Sequence, residues 1–166
     1  SLDTLPQEYS SCGVGDFRIP SIEFEPEDGS RLADLRYTGY ELYRGKYCLE
    51  DLPAFWGGEE WETLVIRMRD TAAKMVVELY YGVLEERDLI TRAVRVVNQG
   101  AETVRLQRCA SLCLDFQRDD LDFITFDGCH TMERCPSRAP LRPGIQSVNS
   151  LRGTSSHHHN PFVILC

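Results

Sequence analysis

Three consecutive histidines, His157-His158-His159, form the most visible cluster of metal-binding side chains in the sequence. In an extended chain, His157 and His159 point to the same side about 6.6 Å apart, which allows both to bind one metal ion with Cys129 or Cys166 as a third ligand. No second ligand pair follows at a zinc-like spacing. The sequence therefore favours a polar loop, whose imidazoles form hydrogen bonds with the backbone, over a metal site.

The seven cysteines are odd in number and irregular in spacing, which is not typical of a secreted disulfide framework. On one strand, Cys109 and Cys113 would share a face roughly 13 Å apart, too far for a disulfide or for a single zinc ion. Cys129, His130 and Cys135 offer three ligands, but a fourth would have to come from elsewhere. We expect reduced thiols in a cytoplasm, with no metal and no cofactor.

Two acidic runs, Glu85-Glu86-Asp88 and Asp119-Asp120-Asp122, could supply the paired carboxylates of a glycosidase. An enzyme that retains configuration places its two carboxyl groups about 5 to 5.5 Å apart. Adjacent residues on a turn diverge, so both runs are interpreted as solvated corners. The sequence also lacks a glycine-rich phosphate loop followed by Lys and a Gly-x-Ser-x-Gly motif. We therefore predict no catalytic residue in this chain.

Phe55, Trp56 and Trp61 flank a turn at residues 57–60 that contains two glycines and two glutamates. Rings beside carboxylates are used in sugar recognition, because rings stack on C–H faces while carboxylates accept hydrogen bonds from hydroxyl groups. This pattern would suit a stand-alone carbohydrate-binding module. The alternative, in which one or both tryptophans anchor the turn to the core, is somewhat favoured, and both interpretations stay open.

The pattern of apolar residues predicts strands to position these side chains. Between Val104 and Phe116 the even-numbered residues are mostly apolar and the odd-numbered ones mostly polar, as in one half-buried strand. Asp28-Gly29-Ser30 predicts a hairpin turn, and the prolines within residues 127–143 predict a long irregular connection. Further candidate strands are Ser21–Glu25, Leu35–Tyr43, Leu64–Met68, Met75–Leu84, Leu89–Val97, Phe123–Phe126 and Ile145–Ser150.

About nine short strands without a convincing helix predict an all-β, antiparallel two-sheet sandwich. The 166 residues, 42% apolar and 27% charged, suit one globular domain. The net charge of −8 opposes binding to nucleic acid or to an anionic membrane surface, and no apolar run reaches the ~20 residues of a membrane span. Because the chain starts at Ser1 and stops in an apolar run, we expect a partial domain, truncated at both ends.

The sequence resembles the N-terminal region of glycoside hydrolase family 36 α-galactosidases through nearly its whole length. The motifs that carry the resemblance are, in order, Leu5-Pro6-Gln7-Glu8-Tyr9, Gly15-Asp16-Phe17-Arg18, Asp28-Gly29-Ser30-Arg31, Asp34-Leu35-Arg36-Tyr37, Leu52-Pro53-Ala54, Gly128-x-His130-x-x-Glu133-Arg134, Arg138-x-Pro140-Leu141 and Arg152-Gly153-Thr154-Ser155-Ser156-His157-x-x-Asn160-Pro161-Phe162.

The resemblance implies a β-supersandwich domain, residues 1–166, that precedes a catalytic (β/α)8 barrel absent from this chain. Members hydrolyse α-1,6-linked galactose from melibiose, raffinose and related oligosaccharides, with retention of configuration. Their nucleophile and acid/base lie on the barrel, which leaves this chain roles in assembly and substrate contact. The implied partners are a galactoside substrate, the barrel, and further copies of the chain in a homo-oligomer, a tetramer in several members.

One substrate contact of the family maps onto this chain. The loop from Gly128 to Arg134 resembles a family loop that presents a ring to the substrate, Trp in some members and His in others, and His130 occupies that position. An imidazole packs on a sugar face and forms a hydrogen bond with a hydroxyl group. The resemblance thus makes His130 the predicted substrate-binding residue; without it, His130 would be interpreted as a structural loop histidine.

Overall fold

The computed structural model describes residues 5–13, 15–54, 56–151 and 156–166. These residues form nine strands, all paired antiparallel, and a 3-10 turn, Glu85–Arg87, between the fourth and fifth strands. Across the described residues, no helix has the length and apolar character needed to cross a bilayer. The strands are β1 Ile22–Glu25, β2 Arg36–Arg44, β3 Glu62–Asp70, β4 Met75–Leu84, β5 Leu89–Asn98, β6 Arg105–Cys109, β7 Asp122–Cys129, β8 Met132–Pro140 and β9 Ile164–Leu165.

The chain divides into two compact units, Ser1–Asp115 and Phe116–Cys166. The first contains a four-stranded sheet of order β2-β3-β4-β5 and a two-stranded sheet of β1 and β6. Alternation along β4 sends Val77 and Leu79 inward, where they pack with Ile22 and Phe24 of β1 in one buried cluster. All four side chains have no exposed area. The predicted all-β, two-sheet sandwich is confirmed.

The second unit is a three-stranded sheet of order β8-β7-β9. Among its described residues, Leu121 is the one buried apolar side chain, and every residue of β8 is exposed. Phe126 of β7 and Phe162 stack with their ring centroids 4.6 Å apart. The backbone ladder and contacts on one central strand therefore hold this unit together, with little apolar burial.

The prediction of an irregular connection over residues 127–143 is wrong, because most of this segment forms the β7–β8 hairpin. Pro136 and Pro140 suggested a loop, yet both lie on β8, an edge strand where a missing N–H need not break a ladder. The opposite error occurs at Ile145–Ser150, which is not a strand. Strand propensity depends on packing against neighbours, and Ile145 is 79% exposed.

The prediction of one half-buried strand from Val104 to Phe116 is also wrong. Strand β6 ends at Cys109, and an irregularity in its pairing with β1 places Phe24 opposite Leu106 but Glu23 opposite Arg108. This bulge shifts the alternation by one residue. The even-numbered apolar side chains beyond it are largely exposed, whereas the odd-numbered Cys113 packs against the core.

Asp28-Gly29-Ser30 forms a turn as predicted, but the turn does not close a hairpin. Gly29 has φ +76° and donates its N–H to the Pro26 carbonyl, while the Ser30 N–H bonds the Asp28 carboxylate at 2.8 Å. The strands on either side pair elsewhere, β1 with β6 and β2 with β3. The turn carries the chain from one sheet of the sandwich to the other, a choice that local turn chemistry does not encode.

Candidate functional site

The predicted substrate contact, His130, lies at the tip of the β7–β8 hairpin. The ladder between the two strands closes where Cys129 faces Met132, and His130 and Thr131 form the turn between them. The His130 side chain is exposed. Within the described ranges it forms no hydrogen bond or ion pair, so its ring nitrogens are available to a molecule bound at the tip.

The backbone of this tip is unusual on both strands. Two residues of β8, Glu133 and Arg134, lie opposite the single residue Gly128 of β7, which makes a β-bulge. A Cβ on Gly128 would clash with the Met132 carbonyl oxygen and lie 2.9 Å from the Glu133 Cα, so only glycine fits there. Thr131 and Arg134 both have left-handed backbones, with φ +72° and +58°. Because a β-branched residue rarely adopts such a backbone, the tip requires support from its surroundings.

Residues 156–162 provide contacts at the base of the tip. His159 Nδ1 lies 2.7 Å from the Asp127 carboxylate, immediately before the bulge. Asn160 donates to the Phe126 carbonyl through both its backbone N–H at 2.9 Å and its side-chain amide at 3.0 Å. Phe162 stacks on Phe126. This segment therefore contacts the Asp127 carboxylate, the Phe126 carbonyl and the Phe126 ring, all on β7 just before the turn.

The three histidines lie in an irregular segment, as the sequence favoured, but their contacts differ from the expected ones. The rings of His157 and His158 stack with centroids 4.6 Å apart, and His158 Nδ1 lies 3.1 Å from the Ser156 hydroxyl. His159 thus bonds a side chain, the Asp127 carboxylate, where a backbone partner was expected. In the part of the chain that the structure describes, no three His, Cys, Asp or Glu side chains are placed to hold a metal ion.

The cysteines are free thiols. Cys109 and Cys113 do not share a strand face as predicted, since β6 ends at Cys109 and Cys113 packs against the core. Cys129 and Cys135 lie on opposite strands of the hairpin. Cys135 faces Asp127 in the ladder, in the pair next to the Cys129–Met132 pair that closes the turn.

The two tryptophans of this turn have opposite environments. Trp61 is 3% exposed and anchors the turn to the sheet, with the Lys46 ammonium 5.5 Å from its ring centroid. Trp56 is 91% exposed. Phe55 lies outside the described residues. A single free indole remains at this turn, and the predicted anchoring applies to one tryptophan of the pair.

Most carboxylates of the two acidic runs are exposed, as predicted, but Asp122 is the first residue of β7 and is half-buried. Glu85 and Glu86 lie on the exposed 3-10 turn between β4 and β5. Asp120 pairs with Arg118 at 2.8 Å, and Asp122 pairs with Arg138 at 2.6 Å. Each of these two carboxylates faces an arginine, which does not create the facing carboxyl pair that glycoside hydrolysis requires.

The contact between Asp127 and His159 was not predicted from the sequence. Asp127 follows the predicted strand Phe123–Phe126 by one residue, and its side chain was assigned to an irregular loop. The available signal was its position at the end of an alternating segment, in reach of a neighbouring strand's side chains. His159 lies 32 positions further along the chain, and the sequence between the two residues carries no sign of their contact.

Comparison with known proteins identifies the domain family. The family profile described as "Glycosyl hydrolase family 36 N-terminal domain" matches residues 1–166. Bifunctional alpha-galactosidase/sucrose kinase AgaSK from Mediterraneibacter gnavus is 48% identical over 99% of this chain. Alpha-galactosidase AgaA from Geobacillus stearothermophilus is 42% identical over 99% of it. The chain spans only 18% and 23% of the lengths of these two relatives.

Solved structures agree with the sequence comparison. The crystal structure of GH36 alpha-galactosidase AgaB from Geobacillus stearothermophilus superposes with a TM-score of 0.95 at 43% identity, covering 99% of this chain and 23% of that one. An AgaA variant from the same organism, crystallised with raffinose, gives 0.95 at 42% identity over the same shares of the two chains. The chain belongs to the glycoside hydrolase family 36 N-terminal domains.

Proposed function

We propose that this chain is the N-terminal domain of a retaining α-galactosidase that releases terminal α-linked galactose from melibiose- and raffinose-type oligosaccharides. The observation that carries the proposal is the match to α-galactosidases over 99% of the chain, in sequence and in fold. Relatives crystallised with raffinose and stachyose support the substrate class. Hydrolysis would take place on the remainder of the polypeptide, since those relatives are more than four times longer.

Within such an enzyme, His130 would contact the substrate. The support is physical: an unpaired, exposed imidazole at the end of a braced hairpin, on a backbone whose left-handed Thr131 limits the tip to few conformations. One face of the ring can pack on the C–H groups of a galactosyl unit while a ring nitrogen bonds a hydroxyl group. Both contacts raise affinity without participating in bond cleavage.

The first experiment compares the isolated chain with the full-length protein. The full-length protein is expected to hydrolyse p-nitrophenyl α-galactoside and melibiose, whereas purified chain 1–166 is expected to leave both uncleaved. If the isolated chain hydrolyses either substrate and the activity survives repurification, hydrolysis does not depend on the remainder of the polypeptide, and this part of the proposal is contradicted. A full-length protein without α-galactosidase activity would refute the proposed function itself.

The second experiment tests His130 in the full-length enzyme. Loss of one hydrogen bond and a stacking contact predicts that His130→Ala raises KM for melibiose about tenfold, with little change in kcat. His130→Trp is expected to recover most of the affinity, because an indole retains the stacking surface. Trp56→Ala is the matched control, an exposed ring at another loop, and should leave KM unchanged. An unchanged KM in His130→Ala would return His130 to a structural role.

A stand-alone carbohydrate-binding module remains the second candidate, favoured by the free indole of Trp56. Titration of chain 1–166 with galactose, melibiose and raffinose separates the two functions. Saturable binding that Trp56→Ala abolishes would establish the module, whereas the α-galactosidase proposal expects no binding by the isolated chain.

We also propose that the enzyme is a cytoplasmic homo-oligomer. The free thiols are consistent with a reducing compartment. The nine-residue edge strand β2 carries exposed Tyr37, Tyr40 and Leu42, between 62% and 66% exposed, and such an edge favours association with another copy. Light scattering of the full-length protein measures the assembly, and cell fractionation measures its location; a monomer or an exported protein would contradict the respective part.

A further inference from the structure

The tip of the β7–β8 hairpin contains three backbone irregularities, and regular strand pairing alone does not fix its conformation. Its turn contains the left-handed Thr131, its second strand contains the left-handed Arg134, and the bulge at Gly128 interrupts the ladder beside them. A bulge redirects the side chains that follow it, here Cys129 and His130. The direction of the His130 ring therefore depends on how firmly the strand is fixed just before Gly128.

The Asp127 carboxylate is the last side-chain anchor before that bulge. It lies 2.7 Å from His159 Nδ1, and Thr125 Oγ1 donates to its other oxygen at 3.4 Å. The backbone bonds on either side of His159 are uneven: Gly128 N to the His158 carbonyl is 3.4 Å, whereas Asn160 N to the Phe126 carbonyl is 2.9 Å. The side-chain contact is thus the short link nearest the bulge.

An ion pair between Arg138 and Asp122 on the same hairpin provides a comparison. Arg138 Nε lies 2.6 Å from Asp122, but this pair joins β8 to the far end of β7, next to Leu121 and away from the turn. Both pairs are partly exposed, and both involve an aspartate of β7. Only the Asp127–His159 pair adjoins the bulge, so only that pair should affect the conformation of the tip.

We propose that Asp127 and His159 are positioning residues that fix the hairpin base so that His130 faces the galactoside. This inference rests on the proposed function, since it assumes the contact between His130 and the substrate. Neither residue touches the substrate in this proposal. The Asp127–His159 pair prevents β7 from rotating at the bulge. The fixed orientation raises substrate affinity, and it does so only through the contact that His130 makes.

A double-mutant cycle in the full-length enzyme tests the dependence on His130. His159→Phe retains a ring but removes the bond to Asp127, and is expected to raise KM for melibiose about threefold with kcat nearly unchanged. His159→Gln retains an N–H donor and should recover most of the affinity. In the His130→Ala background, His159→Phe should cause no further rise in KM. Arg138→Gln, the matched control, should leave KM at the wild-type value.

Hydrogen exchange of the same full-length proteins gives a readout independent of activity. Amides of residues 128–134 should exchange faster in His159→Phe than in wild type, and at the wild-type rate in Arg138→Gln. Unchanged exchange in His159→Phe would overturn the proposal, as would a rise in KM of equal size with and without His130.

The outcomes separate this inference from the function on which it rests. If His130→Ala raises KM and His159→Phe does not, only the positioning role fails. If His130→Ala leaves KM unchanged in an active α-galactosidase, the substrate contact fails and the positioning role falls with it. If the enzyme has no α-galactosidase activity, the proposed function fails, while the exchange measurement still reports whether the pair holds the tip.

Discussion

The two units of the chain keep their folds by different means. In the first, the eight residues of the main buried cluster come from both sheets and from the segments beside them. In the second, Leu121 is the single buried apolar residue among those described, and β8 has no buried residue. A unit with a core resists local distortion, whereas a unit that depends on its ladder presents nearly every side chain to a partner. Most of the stabilising burial is therefore in the first unit, whereas the candidate substrate contact, His130, is in the second.

Carboxylates show the same division. Asp16 of the first unit has a side chain only 1% exposed and bonds Arg18 through three contacts, from the backbone N–H at 3.1 Å and from Nε and Nη2 at 3.0 Å. Asp122 of the second unit meets Arg138 at the surface. A buried, multiply bonded carboxylate carries more stability than a single solvated pair.

Truncation of one phenylalanine in each unit should give the largest difference. Phe24→Ala removes a side chain with no exposed area and is expected to lower the free energy of unfolding by about 4 kcal/mol. Phe162→Ala removes a ring that is 46% exposed and stacked on one partner, with an expected cost of about 1 kcal/mol. Equilibrium urea unfolding of the two variants measures both. Equal losses would break the comparison.

The buried carboxylate should give the second largest effect, and one that depends on pH. Hydrogen bonds from the Arg18 side chain hold the pKa of Asp16 below its usual value. A pKa lowered by folding stabilises the protein above the unfolded value, about 3.9 for Asp, and this stability disappears as the pH falls through the folded pKa. Asp16→Asn should therefore cost about 2 kcal/mol at pH 7, and less as the pH falls below 4.

Urea midpoints of parent and variant between pH 3 and pH 7 measure this dependence. Asp122→Asn is the control in the second unit and should cost less than about 1 kcal/mol at pH 7. A pH-independent cost of Asp16→Asn would show that the bonds to Arg18 act through geometry alone, without their charge.

Sequence pattern predicted the first unit better than the second, for the same physical reason. β4 was predicted with its observed bounds, Met75–Leu84, because its inward residues meet a facing sheet and alternation reports burial. β8 has no buried face and therefore no alternation to detect, and its prolines suggested a loop. Between Val104 and Phe116 the apolar and polar residues do alternate. A bulge shifts the register there, so the alternating apolar residues are not the buried ones.

Only one residue of the candidate site was suggested by a motif in the sequence. Family resemblance pointed to His130, and the described structure places that residue exposed at a turn. Asp127 and His159, which we propose to position His130, are distant in sequence, so their contact arises from strand pairing. The tryptophans make the same point, since Trp56 and Trp61 are five residues apart with identical chemistry and have exposures of 91% and 3%.

Arg92 gives the smallest expected effect and the sharpest test of what makes the first unit stable. Its side chain is 6% exposed, and its guanidinium lies 3.6 Å above the Tyr81 ring. Its nitrogens have no hydrogen-bond partner among the described residues, and the nearest carboxylate oxygen, of Glu8, is 3.6 Å away. Burial lowers the pKa of Arg92 and raises that of Glu8. The interior of the sandwich thus contains a cation whose desolvation is incompletely compensated.

If apolar burial is what stabilises the first unit, an apolar side chain of similar length should replace this cation without loss. Arg92→Met is expected to match or exceed the parent's stability by up to about 1 kcal/mol, whereas Glu8→Gln should cost about 1 kcal/mol because it leaves the buried charge unpaired. Urea unfolding at pH 7 measures both variants. A loss of more than about 2 kcal/mol in Arg92→Met would mean that the stacked guanidinium itself holds β4 to β5. The division between an apolar unit and a polar one would then be too simple, since one of the supports of the first unit would be ionic.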